Sequence, residues 1–186
     1  MDLGWYPKTC GRQSGGKTQE LVPHSLIFII MEWSNILTVK TFNNGDPIPQ
    51  VSSINDWITV NEQQSPAWCY YNDDPSNEST YGILYNWYAV IDPRGIAPDG
   101  YHIPTDSEFE SASPSDFTLL PGCRHYDGQF GYIDTFGYYW ASDSYDDFVV
   151  WYRRFDGVEL HKDYNFKNHG YSIKCIKNVW NPSSLT

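Results

Sequence analysis

The chain has 186 residues, of which 17% are aromatic and only 19% are charged. A chain of this length is typical of one domain, and it can bury a proper core without metals or many disulfides. Its formal net charge of −11 argues against nucleic acids and anionic membrane surfaces as partners, because both require Lys and Arg to neutralise their negative charges. The 8 Trp and 15 Tyr residues supply either a core or an exposed binding face.

Residues 1–30 are predicted to form an N-terminal arm or extension, because residues 1–24 are polar, Gly-rich and without hydrophobic periodicity. Gly11–Thr18 satisfies the phosphate-binding-loop pattern G-x-x-x-x-G-K-[ST]. Such a loop needs a hydrophobic strand before it and a helix after it, whereas here Pro7 and Pro23 stand on its two sides. Nucleotide binding is therefore not expected.

No secretory signal is predicted at the N-terminus, because it lacks an apolar segment of the usual length. The run Ser25–Ile30 is too short to span a bilayer and is predicted to be a buried strand. We therefore expect no membrane insertion. The chain is expected to stay where it is made, to leave by lysis or to be carried by something larger.

Residues 31–180 are predicted to form a single domain, followed by a tail at residues 181–186. A strand is predicted at Ile36–Phe42, which is rich in β-branched and aromatic residues. Asn43–Asp46 is predicted to be a tight turn, because Asn-Gly favours positive φ. The two prolines that follow are expected to interrupt regular structure.

The middle of the chain contains a signal for the start of a helix. Thr105 and Glu108 have the spacing of a capping box, in which each side chain bonds the backbone amide of the other residue. A helix is therefore predicted to begin here, and Pro114 is expected to end it within about two turns. The apolar segment Gly82–Val90 fits either a strand or a buried helix.

The last third of the chain is predicted to be a meander of strands, because β-branched and aromatic runs alternate there with Asp, Asn and Gly turns. The predicted strands are Tyr138–Ser142, Phe148–Phe155, Gly157–His161 and Gly170–Lys177.

The four cysteines are Cys10, Cys69, Cys123 and Cys175. Their spacing contains no C-x-x-C and no zinc-finger pattern with His. If one disulfide forms, Cys69–Cys175 is the predicted pair, since both residues lie in strand-like runs; free buried thiols are the equal alternative. The cysteines therefore fit either an oxidising or a reducing compartment.

The segment Tyr81–Glu108 resembles the signature of the Fibrobacter succinogenes major paralogous domain family. The family pattern is G-x-LYNWYAV, a Pro/Gly turn and then P-x-GWH-x-PT-x-x-EW, and this chain has YGILYNWYAV, DPRG and PDGYHIPTDSEF. Tyr101 and Phe109 stand where the family usually has Trp. Similar elements extend over about residues 35–178, among them Leu119–Arg124, which resembles LPGGYR with Cys at one Gly position.

The resemblance implies an α+β, C-type-lectin-like fold, in the branch shared with formylglycine-generating enzymes. Such a fold has one or two short helices on small twisted antiparallel β-sheets with long irregular loops. For Gly82–Val90 the resemblance favours a short buried helix or turn followed by a strand. It also implies structural roles for the signature residues Trp87, His102, Thr105, Glu108, Arg124, Trp140 and Trp151.

Lectin-like folds often hold calcium, so the resemblance makes calcium a candidate cofactor; no other cofactor is predicted. The candidate ligands are Asp143, Asp146 and Asp147, which lie in a loop rich in oxygen atoms. This loop does not match the EF-hand pattern, and an ordinary solvated turn is the alternative.

The ligand-binding residues are predicted in the C-terminal loops, where aromatic and polar side chains are mixed as in surfaces that bind sugars or proteins. They are Tyr145, Tyr152, Arg154, Tyr164 and Asn165. Only alternate residues of a strand face one way. Since the family match suggests that Trp151 lies in the core, Tyr152 and Arg154 are predicted to lie outside.

With the resemblance, these residues predict a non-catalytic recognition or adhesion module on an extracellular or virion surface. It is expected to bind a glycan or protein receptor and to act as an oligomer or within a larger assembly. One alternative is a structural or decoration protein of a phage particle or another assembly. Another is a formylglycine-generating-type enzyme, but those enzymes use two closely spaced cysteines, whereas Cys123 and Cys175 are far apart.

Overall fold

The computed structural model describes residues 31–179 of the chain. This part contains short helices and short strands joined by loops. The helices are α1 (Ile54–Glu62), α2 (Glu78–Tyr81), α3 (Trp87–Val90) and α4 (Asp106–Phe109). Single turns of 3-10 helix lie at Tyr71–Asp73, Pro75–Asn77 and Pro114–Asp116. The strands are β1 (Trp33–Ile36), β2 (Trp68–Cys69), β3 (Leu84–Tyr85), β4 (Tyr101–His102), β5 (Pro121–Arg124), β6 (Phe130–Ile133), β7 (Gly137–Ser144), β8 (Val149–Phe155), β9 (Leu160–Phe166) and β10 (Lys174–Lys177).

The predicted N-terminal arm at residues 1–30 and the tail at residues 181–186 lie outside the described residues, as do Cys10, the Gly11–Thr18 pattern and the predicted strand at Ser25–Ile30.

The described strands form three sheets. The largest has the order β6, β5, β7, β8, β9; β7, β8 and β9 form an antiparallel meander, and β5 is parallel to β7. β1, β10 and β4 form an antiparallel three-stranded sheet, and β2 pairs with β3. The domain is therefore α+β, as predicted, with few short helices and small, mostly antiparallel sheets.

Aromatic side chains form much of the core. Trp140 and Tyr171 are almost fully buried in the largest apolar cluster, with their ring centres 4.2 Å apart. Trp140 Nε1 donates to the Tyr85 carbonyl (2.8 Å), and Trp87 Nε1 donates to the Ala141 carbonyl (2.9 Å). These two indole N–H groups are therefore paired inside the core, which avoids the cost of burying an unsatisfied donor.

A second apolar cluster lies on the opposite face of the meander. Phe155 of β8 and Tyr139 of β7 pack there with Phe109 of α4 and with other apolar side chains. Tyr152, also on β8, belongs instead to the largest cluster. Both faces of β8 are therefore covered at the end of the sheet near α4.

Two local predictions are confirmed. A backbone hydrogen bond of 2.8 Å joins Phe42 to Asp46 across the predicted turn, and the glycine in that turn has a φ of 91°. Thr105 and Glu108 form both hydrogen bonds of the capping box at the start of α4. Interactions between residues a few positions apart thus determine both features, so a short stretch of sequence suffices to predict them.

The predicted strand at Ile36–Phe42 is wrong. β1 ends at Ile36, and beyond it the pairing is reduced to a bridge between Thr41 and Pro47. The Leu37 amide still donates to the Ile173 carbonyl (2.8 Å), so the chain leaves the sheet after that residue.

Within Gly82–Val90 the strand β3 comes first and the helix α3 follows, the reverse of the predicted order. Asn86 explains the change of structure, because its side chain accepts a hydrogen bond from the Ala89 amide and so caps α3.

α1 is a helix that the sequence pattern does not predict. The Ser53 side chain caps its N-terminus by accepting a hydrogen bond from the Asp56 amide (3.0 Å). Its buried residues are Trp57 and Asn61, of which one is polar. This helix therefore lacks the stripe of apolar residues from which helices are predicted.

Three of the four strands of the predicted meander are present as β7, β8 and β9, with different bounds. The fourth, predicted at Gly170–Lys177, is wrong as part of the meander, because it is β10 and pairs with β1 and β4 in another sheet. Residues 156–159 form a hairpin turn, because Asp156 accepts hydrogen bonds from the amides of Val158 (2.9 Å) and Glu159 (2.8 Å). The predicted strand Gly157–His161 is therefore replaced by β9, which starts later and continues to Phe166.

Cys69, Cys123 and Cys175 are buried free thiols, so the predicted Cys69–Cys175 disulfide is wrong and the alternative prediction of free thiols is confirmed. Burial raises the pKa of each of these thiols to about 12.

Candidate functional site

The outer face of the meander, which we define as the face that bears Trp151, Arg153 and Phe155, is only partly covered. Trp151 pairs with Tyr164 and Arg153 with Lys162 across β8 and β9. Directly opposite residues of paired strands lie on the same face, so Tyr164 and Lys162 belong to it. α4 covers the end at Phe155, whereas Tyr164, at the other end, is 52% exposed.

Three aromatic rings form a compact group at this open end, and we call Tyr145, Trp151 and Tyr164 the aromatic platform. The rings of Tyr145 and Tyr164 are stacked, with centres 4.9 Å apart and planes 9° apart. Trp151 meets Tyr145 edge to face, with ring centres 4.8 Å apart. Since both tyrosines are more than half exposed, the platform offers aromatic surface to a ligand.

A row of paired charges borders the aromatic platform. Lys162 Nζ lies 4.2 Å from the centre of the Trp151 ring and 2.6 Å from Asp106 Oδ2. The buried Arg153 donates to Asp106 Oδ1 from Nη1 (2.5 Å). Burial acts to raise the pKa of Asp106, but the hydrogen bonds from Lys162 and Arg153 outweigh it and hold this pKa below its usual range. Asp106 is thus a carboxylate that fixes both cations beside the platform.

Of the five predicted ligand-binding residues, the structure brings together only Tyr145 and Tyr164. Tyr152 is buried in the largest cluster, so the prediction that it lies outside is wrong. Asn165 donates from its side chain to the Tyr171 hydroxyl (2.9 Å), and the half-buried Arg154 lies over the Phe136 ring. These three residues lie on the inner face of the meander.

Trp151 is half-buried and lies on the outer face, so its predicted place in the core is not borne out. Strand alternation itself holds, since Trp151 and Tyr152 face opposite ways. The prediction is wrong about which face of β8 is buried. The largest cluster packs against the face that bears Tyr152. The helix α4 has only four residues and leaves Trp151 partly exposed on the other face.

Two of the three candidate calcium ligands, Asp143 and Asp146, accept hydrogen bonds from backbone amides. Asp143 Oδ1 accepts a hydrogen bond from the Asp106 amide at the start of α4 (2.6 Å). Asp146 Oδ1 accepts from the amides of Phe148 (2.7 Å) and Val149 (2.9 Å) in the β7–β8 hairpin, and these bonds lower its pKa. Within residues 31–179 no group of three or more His, Cys, Asp or Glu side chains is placed to hold a metal ion.

The signature residues form the frame that supports this surface. His102 bridges two elements, with its ring nitrogens 2.9 Å from Glu108 Oε1 and 2.6 Å from Asn178 Oδ1. Arg124 is fully buried between the rings of Trp57 and Phe130. Its guanidinium donates to Asp73 and to the carbonyl oxygens of Val51, Ser53 and Gly128.

Sequence reasoning missed Lys162 and Asp106 at this surface and Phe148 in the hairpin beside it, and it did not include Phe166 among the five predicted ligand-binding residues. Phe148 is 75% exposed and Phe166 is 55% exposed. Lys162 and Phe166 could have been found from the alternation of residues along β9. That alternation places Lys162, Tyr164 and Phe166 on one face of the strand. That alternation was missed because the predicted strand ended at His161.

The arrangement of short helices and small antiparallel sheets, with capped helix and buried signature residues, defines a small α+β domain. Residues 33–113 match the model of the Fibrobacter succinogenes major domain (Fib_succ_major), and this match supports membership of that family for this segment of the chain. Comparison with curated proteins and with solved structures finds no match to either. Among the described residues, none of the helices has the length and apolar character needed to cross a membrane.

Proposed function

We propose that this domain is a non-catalytic recognition module with a C-type-lectin-like fold, displayed on an extracellular or virion surface. It binds a glycan or protein receptor through the aromatic platform. The observation that carries the proposal is the open, stacked pair Tyr145–Tyr164 beside Trp151, because grouped and exposed aromatic rings offer a ligand one rigid apolar surface.

The chemistry of the platform suits a sugar. Flat aromatic rings pack against the C–H faces of pyranose rings, and neighbouring polar groups fix the hydroxyls. Lys162 and Asp106 lie next to Trp151 and supply such groups. Lys162 and Asp106 are held by each other, and Arg153 also holds Asp106, so the polar border is preorganised. Binding of a ligand therefore costs little side-chain entropy.

Catalysis of the formylglycine-generating type is disfavoured by the state of the thiols. Burial raises the pKa of Cys123 and Cys175 to about 12, so almost no thiolate is present near neutral pH. A thiol in that state is a poor nucleophile and metal ligand.

A second candidate is a structural or decoration protein of a phage particle or another assembly. It is favoured by the exposed apolar side chains at two hairpins, Phe148 at 75% and Val158 at 74%. An assembly would bury such residues in an apolar contact between copies or with a partner.

The test is a glycan and mucin array with the full chain, run with calcium and with a chelator, followed by calorimetry on any hit. We expect saturable binding that Tyr164→Ala weakens by about tenfold or more, the loss typical of an interface anchor. Tyr132→Ala is the control, because Tyr132 is 48% exposed and lies on β6, away from the platform. Loss of binding in the chelator would support the calcium prediction.

Absence of any hit in both conditions would count against recognition of a glycan. An equal loss in Tyr132→Ala would show that the platform is not the site. A purified chain that assembles through an apolar contact and retains no glycan would favour the structural candidate.

A further inference from the structure

A groove runs beside α1 and α3, separate from the aromatic platform. It consists of two adjoining clefts of about 350 Å³ and about 260 Å³, which share Tyr88 and Asn168 as lining residues. We call it the Tyr88 groove. Tyr126 lies at one end, in the larger cleft, and Phe148 and Phe166 line the smaller one.

Four aromatic side chains line the Tyr88 groove, and three of them are exposed. Tyr126 is 58% exposed, Phe148 75% and Phe166 55%, and Tyr88 lies between them. Four rings spaced along one groove offer successive stacking surfaces. That arrangement suits a chain of flat, repeating units better than a single compact ligand.

Asn168 supplies an unused hydrogen-bonding group. Its Oδ1 is buried and has no partner among the described residues, although most buried polar atoms in proteins are paired. Its backbone carbonyl is fixed, because it accepts a hydrogen bond from Trp57 Nε1 (3.2 Å). Asn168 also lines both clefts, so rotation of its side-chain amide would let Oδ1 accept a hydrogen bond from a ligand hydroxyl.

The charges of the groove restrict the ligand. Glu62, Asp127 and Asp147 line it with exposed carboxylates, and the chain as a whole carries a formal charge of −11. Lys167 is the cation of the smaller cleft, but its Nζ donates to the Asp147 carbonyl (2.7 Å) and lies over the Trp87 ring. An anionic ligand would be repelled, whereas uncharged hydroxyls can donate to the carboxylates.

We infer that the Tyr88 groove binds an uncharged oligosaccharide and is a site additional to the aromatic platform. Tyr164 and Phe166 are two residues apart on β9, so the groove begins about 7 Å from the platform along the strand. One saccharide chain of several units can therefore reach both surfaces.

The test is an NMR titration of the ¹⁵N-labelled full chain, which follows two assigned indole N–H signals. Trp57 reports on the groove through its hydrogen bond to Asn168, and Trp151 reports on the aromatic platform. The probes are neutral hexasaccharides of glucose, mannose and N-acetylglucosamine, with a galacturonic acid hexamer as the anionic control. At least one neutral probe is expected to shift the Trp57 signal saturably, and the anionic hexamer is not.

Two variants locate the binding. Tyr126→Ala removes an exposed ring and Asn168→Ala removes the side-chain amide, and each is expected to raise the Kd about tenfold or more. Tyr132→Ala and Tyr164→Ala are expected to leave the Trp57 shift in place.

The outcomes separate the two sites. A shift at Trp151 alone would overturn the groove site while supporting the platform. A shift at Trp57 alone would support the groove site and count against the platform. No shift at Trp57 with any neutral saccharide, or an equal shift with the anionic hexamer, would each overturn the inference.

Discussion

His169 is a buried histidine whose charge state is linked to folding. It is 5% exposed and packs against Tyr171 with ring centres 5.7 Å apart. Burial lowers its pKa to about 4, and the nearby His125 acts in the same direction, against a weaker opposing hydrogen bond to the Phe166 carbonyl. The folded state therefore holds this ring neutral at a pH where the unfolded chain would protonate it.

The sign of the pH dependence follows from that depressed pKa. The unfolded chain, with a histidine pKa near 6.5, binds a proton before the folded state does, so stability is complete above about pH 6.5 and falls as the pH drops towards 4. We expect the free energy of unfolding to be about 2 kcal/mol lower at pH 5 than at pH 7, measured by urea titration. His169→Gln should remove most of this difference. An unchanged pH dependence in that variant would contradict the assignment to His169.

The predictability of single residues depends on the range of the interactions that place them. The Thr105–Glu108 capping box could be predicted because its bonds join residues three apart. The burial of Tyr152 could not, because it depends on which face of β8 the rest of the fold covers. Arg124 was identified only through the family pattern; its partners Ser53 and Asp73 are remote in sequence.

At the scale of elements, β9 is an edge strand whose outward amides are partly occupied. It pairs with β8 on one side and with no other described strand. The Tyr164 amide donates to Asp163 Oδ1 (2.9 Å), and the Phe166 amide donates to Asn165 Oδ1 (2.9 Å). Side chains thus take up two N–H groups that a second copy of the strand would otherwise use, which limits edge-to-edge association.

Removal of these side chains should therefore promote self-association. The double variant Asp163→Ala/Asn165→Ala frees both amides, and we expect a larger fraction of dimer or higher oligomer in sedimentation velocity at matched concentration. Glu159→Ala is the control, because it also removes one negative charge and lies in the turn before β9. An unaltered sedimentation profile in a folded double variant, checked by circular dichroism, would refute this role of the two side chains.

The elements that could be predicted are those with a strong local pattern. The strands of the C-terminal meander were recognisable from their β-branched and aromatic runs, whereas the positions of their turns were not. α1 was missed because its buried positions are Trp57 and Asn61 in place of an apolar stripe. Asn61 can be buried because its amide donates to the Trp57 carbonyl and its oxygen accepts from Asn86.

At the scale of the whole molecule, the frame and the binding surfaces differ in how far the sequence reveals them. The family match covers residues 33–113, which hold much of the structural signature. The aromatic platform lies beyond that range, on strands whose register and covered face are set by contacts between distant residues. The Tyr88 groove is still harder to predict, because α1, α3 and the segment after β9 meet only in the folded domain.

The whole domain is also stabilised without a disulfide among its described residues. Cys69, Cys123 and Cys175 are at most 1% exposed, and burial raises the pKa of each to about 12. A thiol reacts through its thiolate, so both inaccessibility and the raised pKa make these groups inert while the domain is folded. The aromatic core therefore provides the stability that cross-links supply in smaller domains.

Thiol titration tests this view of the molecule. In a Cys10→Ser chain at pH 8, we expect no thiol to react with 5,5′-dithiobis(2-nitrobenzoate) in the folded state, and all three buried thiols to react in urea. The melting temperature should be the same with and without a reductant, since the described residues contain no disulfide to reduce. Rapid reaction of Cys123 or Cys175 in the folded chain would contradict the structure and would favour a catalytic role for that thiol.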